Sequence, residues 1–271
     1  MLKKLIRHEW ASGWKIPTVL IGVLLVLSVF AGLTFVAPVW DSEMTGLSIL
    51  LVIVWMLYYF AIIGVSVGVM LYLAIRFYKS MYTDEGYLTH TLPVTSHQLL
   101  WSKMIYIAAW NIIATIAIFL SVFIFGFMAA LFLQPDGMGV MESFTMAWEE
   151  IVAEFGAENI GAFAGNMVFV GIAGVCSSTM LLVGSITIGQ LVGKHKVLGA
   201  VGAYFAVNTI MQIISYICMF PIMFKTIENE PDNVFAVLTP MYTILSVVCI
   251  IVSIALYFIS ELIIRKKLNL D

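Results

Sequence analysis

Long apolar stretches alternate with short charged segments along the whole chain. Six of the stretches hold no Asp, Glu, Lys, Arg or His, and each exceeds the roughly 20 apolar residues that a membrane-spanning helix needs. Membrane β-strands would instead alternate apolar and polar residues over about ten positions. The pattern therefore predicts an all-α membrane protein with six transmembrane helices. The stretches are Ile16–Trp40, Met44–Ile75, Met104–Pro135, Asn159–Gly193, Val197–Phe224 and Asn233–Ser260.

The amino-acid composition also indicates that most of this chain lies in a lipid bilayer. Of its 271 residues, 62% are hydrophobic and 11% are charged, whereas a typical soluble domain has about 45–50% apolar and about 25% charged residues. This balance excludes a soluble enzyme, a disordered chain and a nucleic-acid-binding domain. The three cysteines lie in apolar stretches, so neither a disulfide framework nor a Cys/His metal site is indicated. We expect residues 1–271 to form a single transmembrane domain in contact with membrane lipids.

Basic residues concentrate on one side of the six-span arrangement. Every Lys and Arg except Lys225 falls on the side that holds both termini. Because loops rich in Lys and Arg stay in the cytoplasm, we expect both the N and the C terminus to be cytoplasmic. The predicted location is the cell membrane, as a multi-pass protein of a bacterial plasma membrane. The first stretch is too long for a signal-peptide core and follows a segment with Glu9, so we expect no cleavage.

Residues 1–15 predict an amphipathic helix lying in the inner membrane interface. Four apolar side chains share one arc at helical spacing, namely Leu2, Leu5, Ile6 and Trp10. Basic and polar side chains occupy the opposite arc, a pattern typical of helices that lie along a membrane surface. Pro17 follows at the point where the chain would turn from lying flat to crossing.

The charged segment 76–103, between the second and third spans, predicts a short cytoplasmic helix. Thr83 is a good N-cap, and the acids Asp84 and Glu85 would lie at the positive end of the helix dipole. Pro93 would end this helix at the residue before it, because that residue is driven out of the helical conformation.

The same segment also indicates how the short helix is held. Thr95 and Gln98, three residues apart, fit a capping box that would open a helix running on into the third span. The short helix would therefore lie between two helical stalks. Its apolar side chains Tyr87, Leu88 and Leu92 suit either packing against the inner ends of the spans or docking to a cytoplasmic partner.

This segment resembles the loop between the second and third spans of ABC-2 type transporter permeases. Many members of that family carry a Glu-Gly-Thr-Leu…Leu-Leu-x-Thr-Pro-Val-Ser…Gly-Lys pattern there. The chain has Glu85-Gly86-Tyr87-Leu88, then Thr91-Leu92-Pro93-Val94-Thr95-Ser96, then Gln98-Leu99-Leu100 and Ser102-Lys103. Tyr87 replaces the usual Thr, Ser102 replaces the usual Gly, and Leu92 stands where Thr or Ser often precedes the proline. The six-span layout and the amphipathic first helix extend the resemblance to the whole chain.

The resemblance implies a permease subunit that works with a separate cytoplasmic ATP-binding subunit, which carries ATP and Mg²⁺. It also implies a second permease, either a second copy of this chain or a homologous permease. In that family the loop is a coupling helix that fits a groove on the ATPase, and the first segment, here Leu2–Trp14, is an elbow helix. The coupling residues so implied are Thr83, Asp84, Glu85, Gly86, Tyr87, Leu88, Leu92 and Pro93.

The chain itself carries no motif of an ATPase or of another enzyme. Gly189–His195 resembles a P-loop only superficially, because it is one residue short and has His where Ser or Thr would hold Mg²⁺. We therefore expect no catalytic residue, no metal and no cofactor in this chain.

Ionisable residues are absent from the six stretches, which disfavours an ion-coupled carrier and an intramembrane metalloprotease. Amide side chains do occur there, at Asn111, Asn166, Gln190, Asn208 and Gln212. They suit either hydrogen bonds between helices or the lining of a translocation path. Asn208 and Gln212 are four residues apart on one helical face, which makes them our candidates for a path-lining pair.

Pairs of glycines four residues apart predict close packing of helices, because small residues let helix backbones approach. The pairs are Gly64 and Gly68, Gly161 and Gly165, and Gly189 and Gly193. Packing within the chain is the first interpretation, and a dimer interface is the second.

Segment 136–158 predicts an amphipathic helix on the outer leaflet. It holds six acidic residues and no basic one. Its apolar residues at helical spacing are Phe144, Trp148, Ile151, Val152 and Phe155. The segment suits either a cap over the bundle or an outer gate that favours cationic, amphipathic cargo.

Together these expectations favour the permease subunit of an ATP-driven exporter, with peptides, drugs and lipids as candidate substrates. The alternative is a membrane sensor or immunity subunit that is coupled to an ATPase without true export. A membrane-embedded enzyme is the third interpretation, and the lack of ionisable groups in the spans disfavours it.

Overall fold

The computed structural model describes residues 2–36, 45–83, 95–132, 139–193, 195–228 and 234–266, and apart from short turns and helix junctions these residues are helical. Its helices are α1 (Leu2–Gly13), α2 (Lys15–Leu33), α3 (Thr45–Tyr82), α4 (Ser96–Phe132), α5 (Val140–Phe155), α6 (Ala157–Gly189), α7 (Lys196–Glu228) and α8 (Val234–Lys266). Six of them, α2 to α4 and α6 to α8, are long and apolar enough to cross a membrane. The predicted all-α class is thereby confirmed for the described residues, and so is the presence of six helices that could span a membrane.

Two of the spans continue as helices well beyond their apolar stretches. Helix α3 runs past Ile75 as far as Tyr82, and α4 begins at Ser96, before the stretch that starts at Met104. The backbone N–H of Gln98 donates a hydrogen bond to Oγ1 of Thr95, 3.3 Å away. This bond confirms the prediction that Thr95 is the N-cap of α4. The end of α3 and the start of α4 form the predicted stalks on either side of residues 84–94.

The described chain divides into two compact units. The larger unit comprises Met1–Ile6, Ala74–Ala108 and Glu149–Asp271, and the smaller comprises Arg7–Leu73 and Ala109–Trp148. In the larger unit α6 packs against both α7 and α8, and α7 packs against α8. Every side chain from Thr179 to Thr187 of α6 is buried. Helix α6 is therefore the central helix of this unit.

The smaller unit has a core of aromatic side chains contributed by α3, α4 and the short 3-10 helix Thr34–Val36 that follows α2. The ring of Phe125 lies 5.2 Å from that of Tyr58 and 5.4 Å from that of Phe35. Two hydrogen bonds fix the cluster, because the Trp55 indole N–H donates to Oγ1 of Thr34 at 2.8 Å and the Tyr58 hydroxyl bonds to a serine of α4. Apolar area and satisfied polar groups together hold the three helices.

The predicted glycine pairs differ in how closely other residues approach them. A Cβ added to Gly189 would lie 2.3 Å from the backbone nitrogen of Ala200, so α6 and α7 approach closely there. A Cβ on Gly68 would lie 3.3 Å from the side chain of Leu20. The other four paired glycines have no described atom within 4 Å of a Cβ position, and they are Gly64, Gly161, Gly165 and Gly193. Among the described residues, these four therefore do not show the predicted close packing within the chain.

Candidate functional site

The stalk ends of α3 and α4 frame the segment that the resemblance assigns to ATPase coupling. Among the predicted coupling residues, Thr83 is described, and its hydroxyl donates a hydrogen bond to the carbonyl of Lys79 at 2.6 Å. The others lie outside the described residues, namely Asp84, Glu85, Gly86, Tyr87, Leu88, Leu92 and Pro93. What the structure describes is therefore how the two flanks of this segment are held.

The flank of α3 is tied to α6 by a part-buried hydrogen bond. The hydroxyl oxygens of Tyr82 and Thr187 lie 2.9 Å apart. Thr187 is fully buried and donates its single hydroxyl proton to the carbonyl of Val183 at 2.8 Å. Tyr82 is consequently the donor to Thr187, and the last residue of α3 is fixed to the last turn of α6.

The flank of α4 is tied to α8 by a second hydrogen bond. The hydroxyl of Tyr257 lies 2.5 Å from Nδ1 of His97, which stands in the first turn of α4. The ring of Trp101 lies 6.1 Å from the imidazole and 6.0 Å from the phenol, so a third ring packs against the two that share this hydrogen bond. Sequence reasoning missed both ties, because their partners are more than 100 residues apart in the chain.

A cation–π contact joins the two flanks to each other. The guanidinium carbon of Arg76 in α3 lies 5.2 Å from the ring centroid of Tyr106 in α4. The ring is buried, and desolvated contacts of this kind are the stronger ones. The stalks therefore form a paired structure inside the larger unit.

These contacts bring together several helix ends of the larger unit that carry basic residues, and we call this end of the unit the basic end. The ends of α3 and α6 meet there through Tyr82, and the end of α6 meets the start of α7 at Gly189 and Ala200. The basic residues of these helix ends are Arg76, Lys79, Lys103, Lys196 and Arg265. Lys103 is buried, whereas Arg265 is exposed. The structure thus groups charges that the sequence assigned to a single membrane side.

The opposite end of the larger unit carries acidic residues. Phe235 of α8 lies 5.2 Å from Phe155 of α5 and 4.8 Å from Phe163 of α6, measured between ring centroids, so these helix ends meet. The acidic residues close to them in sequence, all exposed, are Glu149, Glu150, Glu154 and Glu158. We call this the acidic end.

Helix α5 confirms the predicted amphipathic helix of segment 136–158. Two of its apolar side chains at helical spacing stay uncovered, with Phe144 65% and Trp148 50% exposed. Gly156 alone separates α5 from α6, and its φ of 78° is a left-handed value that side-chain-bearing residues avoid. The turn at this glycine changes the direction of the chain between the two helices.

Helix α1 confirms the predicted helix within residues 1–15, and its second half is held by contacts within the smaller unit. The Trp10 indole stacks on that of Trp110, with centroids 5.3 Å apart and planes 14° from parallel. The Tyr72 hydroxyl donates to the carbonyl of Gly13 at 3.0 Å. Glu9, which the amphipathic pattern leaves off the apolar arc, is only 8% exposed. Burial of this carboxylate is a feature that the sequence did not predict.

Among the amide side chains of the spans, Asn166 bridges two helices, whereas the predicted path-lining pair has no partner among the described residues. Asn166 of α6 donates to the carbonyl of Thr239 at 3.0 Å and accepts from the hydroxyl of Thr243 at 3.1 Å, so it bridges α6 and α8 as one interpretation predicted. The proposed lining pair lies on α7, where Asn208 is half-buried and Gln212 is exposed. Neither makes a hydrogen bond with the residues that the structure describes. Their lining role stays a prediction.

Neither a search for metal ligands nor a comparison with known proteins assigns a further role to these residues. In the described ranges no group of three or more His, Cys, Asp or Glu side chains is placed to hold a metal ion. Comparison of the chain with models of protein families, with curated proteins and with solved structures gives no match.

Proposed function

We propose that this chain is the permease subunit of an ATP-binding cassette exporter. The observation that carries the proposal is the pair of stalks, α3 to Tyr82 and α4 from Thr95, which continue beyond the apolar spans and hold the coupling-like segment between them. A loop that only joined two spans would not need helical extensions that are fixed to other helices by side-chain contacts. A surface that receives a force from a partner does need them.

In this proposal the energy comes from a separate cytoplasmic ATPase subunit that holds ATP and Mg²⁺. ATP-driven closure of that subunit moves the coupling segment Thr83–Pro93, tilts α3 and α4, and switches the path from one membrane face to the other. Such alternating access requires that ATP bind the two states with different affinity. A second permease, identical or homologous, completes the path, and Asn208 and Gln212 are the side chains that we propose to line it.

The orientation follows from the same proposal. Both termini and the basic end lie in the cytoplasm, since Lys- and Arg-rich segments are retained there. Helix α1 is the elbow helix, and the acidic end faces the outside of a bacterial plasma membrane. The alternative function, a sensor or immunity subunit, keeps the same ATPase partner and differs only in that substrate is not exported.

The proposal is tested by purifying the tagged chain from its native membranes in a gentle detergent and identifying each co-purifying subunit by mass. We expect a stoichiometric soluble protein with a P-loop. Glu85→Lys and Gly86→Val should then uncouple ATP hydrolysis from the permease while leaving membrane insertion intact. Glu142→Lys, a charge reversal on exposed α5, is the matched control. A chain that purifies alone, or normal substrate-stimulated ATP hydrolysis in both variants, would contradict the coupling role.

Export and sensing are separated by a transport assay. Inverted vesicles that contain the complex accumulate a labelled substrate if the chain is an exporter. The sensor alternative predicts substrate binding without ATP-dependent accumulation.

A further inference from the structure

The two flanks of residues 84–94 are each fixed to a different helix of the larger unit. Tyr82 is bonded to Thr187 of α6, and His97 is bonded to Tyr257 of α8. We infer that these two pairs, called the relay pairs below, carry movement of the coupling segment directly to α6 and α8. The inference rests on the proposed function and names positioning residues for it.

The Tyr82–Thr187 pair has the properties of a rigid connection. Thr187 is fully buried in the continuously buried stretch of α6, and its own proton is engaged by the carbonyl of Val183. The Tyr82 ring is further held edge-on against Phe77, with centroids 6.0 Å apart. Because close-packed side chains transmit strain, a shift of the end of α3 is passed to α6.

The His97–Tyr257 pair forms the corresponding connection for α4. His97 stands two residues after the N-cap of α4, so it follows any displacement of that helix start. Tyr257 and Trp101 pack on the imidazole from α8 and α4 respectively. His97 itself is exposed, so the connection depends on the hydrogen bond and the ring contacts rather than on deep burial.

The contact of Arg76 with Tyr106 makes the flanks respond together. Helices α6 and α8 are in turn bridged at the acidic end by Asn166, which bonds to Thr239 and Thr243. A push that enters at the stalks therefore reaches both helices at the basic end and is shared between them at the acidic end. In this arrangement the coupling stroke acts on α6 and α8 as well as on the spans that carry the loop.

Hydrogen–deuterium exchange of the complex captured with its ATPase tests the relay. Exchange is compared with and without ATP and vanadate in peptides covering residues 84–94, 183–193 and 257–266. In the unaltered complex we expect nucleotide to change exchange in all three. Thr187→Val and Tyr82→Phe should at least halve the change in residues 183–193, and His97→Ala and Tyr257→Phe should do so in residues 257–266. The change in residues 84–94 should persist in every variant.

Matched controls use the same substitutions outside the relay. Tyr216→Phe and Thr209→Val lie on exposed positions of α7 and remove hydroxyls that make no hydrogen bond with the described residues. They should leave all three nucleotide-induced changes intact. General destabilisation would raise exchange in the absence of nucleotide, so the nucleotide-induced difference separates a relay role from a structural one.

Two results overturn the inference and are distinct from each other. If residues 84–94 respond to nucleotide and all four relay variants keep the full response of α6 and α8, the relay is wrong and the proposed function stands. If no ATPase is captured, or nucleotide leaves residues 84–94 unchanged in the unaltered complex, the proposed function falls and the relay falls with it.

Discussion

The indole of Trp10 lies flat on the indole of Trp110, with ring centroids 5.3 Å apart. The first ring belongs to α1 and the second to the middle of α4, so the helix expected to float in the membrane interface is held by the bundle itself. Tyr72 secures the end of the same helix through the carbonyl of Gly13. Protein contacts at two points therefore position this amphipathic helix.

Removal of the Trp10 ring should loosen this anchorage measurably. Trp10→Ala loses an aromatic pair that contributes about 0.5–1.5 kcal/mol beyond the area it buries. We expect a lower thermal unfolding midpoint of the protein in detergent. Trp14→Ala is the control, because Trp14 is 45% exposed and has no ring contact with the described residues. Equal losses in both variants would show that the stack contributes nothing specific.

The contact between α6 and α7 should not tolerate a methyl group at Gly189. A Cβ there would lie 2.3 Å from the backbone nitrogen of Ala200, and backbone cannot rotate out of the way. Overpacking of this kind costs about 1–3 kcal/mol. We therefore expect Gly189→Ala to lower the yield of monodisperse protein and its unfolding midpoint. Gly202→Ala, where a Cβ meets no described atom within 4 Å, should change the midpoint little.

The bridge from Asn166 should appear as a coupling energy. A double-mutant cycle with Asn166→Ala and Thr243→Val, measured by unfolding in detergent, should give an interaction of about 0.6 kcal/mol, the mean for hydrogen bonds between membrane helices. The Thr243 hydroxyl is also close to the carbonyl of Thr239, 2.8 Å away, so it retains an acceptor when Asn166 is removed. Strict additivity of the two substitutions would show that the 3.1 Å contact is energetically silent.

The two faces of α5 should meet different solvents. In a background with the three cysteines replaced by serine, spin labels are placed at Phe144→Cys or at Glu150→Cys. We expect the label at 144 to be relaxed by oxygen dissolved in lipid and the label at 150 by a water-soluble nickel chelate, since an amphipathic helix at an interface buries only its apolar arc. Nickel access at both positions would mean that α5 stands away from the bilayer.

Local rules predicted much of this fold because they depend on neighbours in sequence. The six candidate spans were predicted from the length of the apolar stretches. The N-cap at Thr95 was predicted because its hydroxyl stands three residues before the backbone N–H of Gln98. Asn166 was one of several amides with a bridging interpretation, and its partners Thr239 and Thr243 could not be named in advance.

The sequence could not predict contacts between residues that lie far apart along the chain. Gly189 and Gly161 begin identical glycine pairs, yet only the former meets another backbone, because its helix end faces Ala200. Glu9 is buried although helical periodicity gives no reason for it. The same limit applies to the candidate site, since Thr187 and Tyr257 carry no motif and were found only through their contacts with the stalks.

The single-residue junction at Gly156 makes α5 a lever. The ring contacts of Phe155 and Phe163 with Phe235 hold the near end of α5 against α6 and α8. Sixteen residues of α-helix extend about 24 Å, so a tilt of about 10° at the junction sweeps the far end through about 4 Å. A small rotation at the junction would thereby be magnified into a larger displacement of the far end, which a fluorophore near Val140 would report.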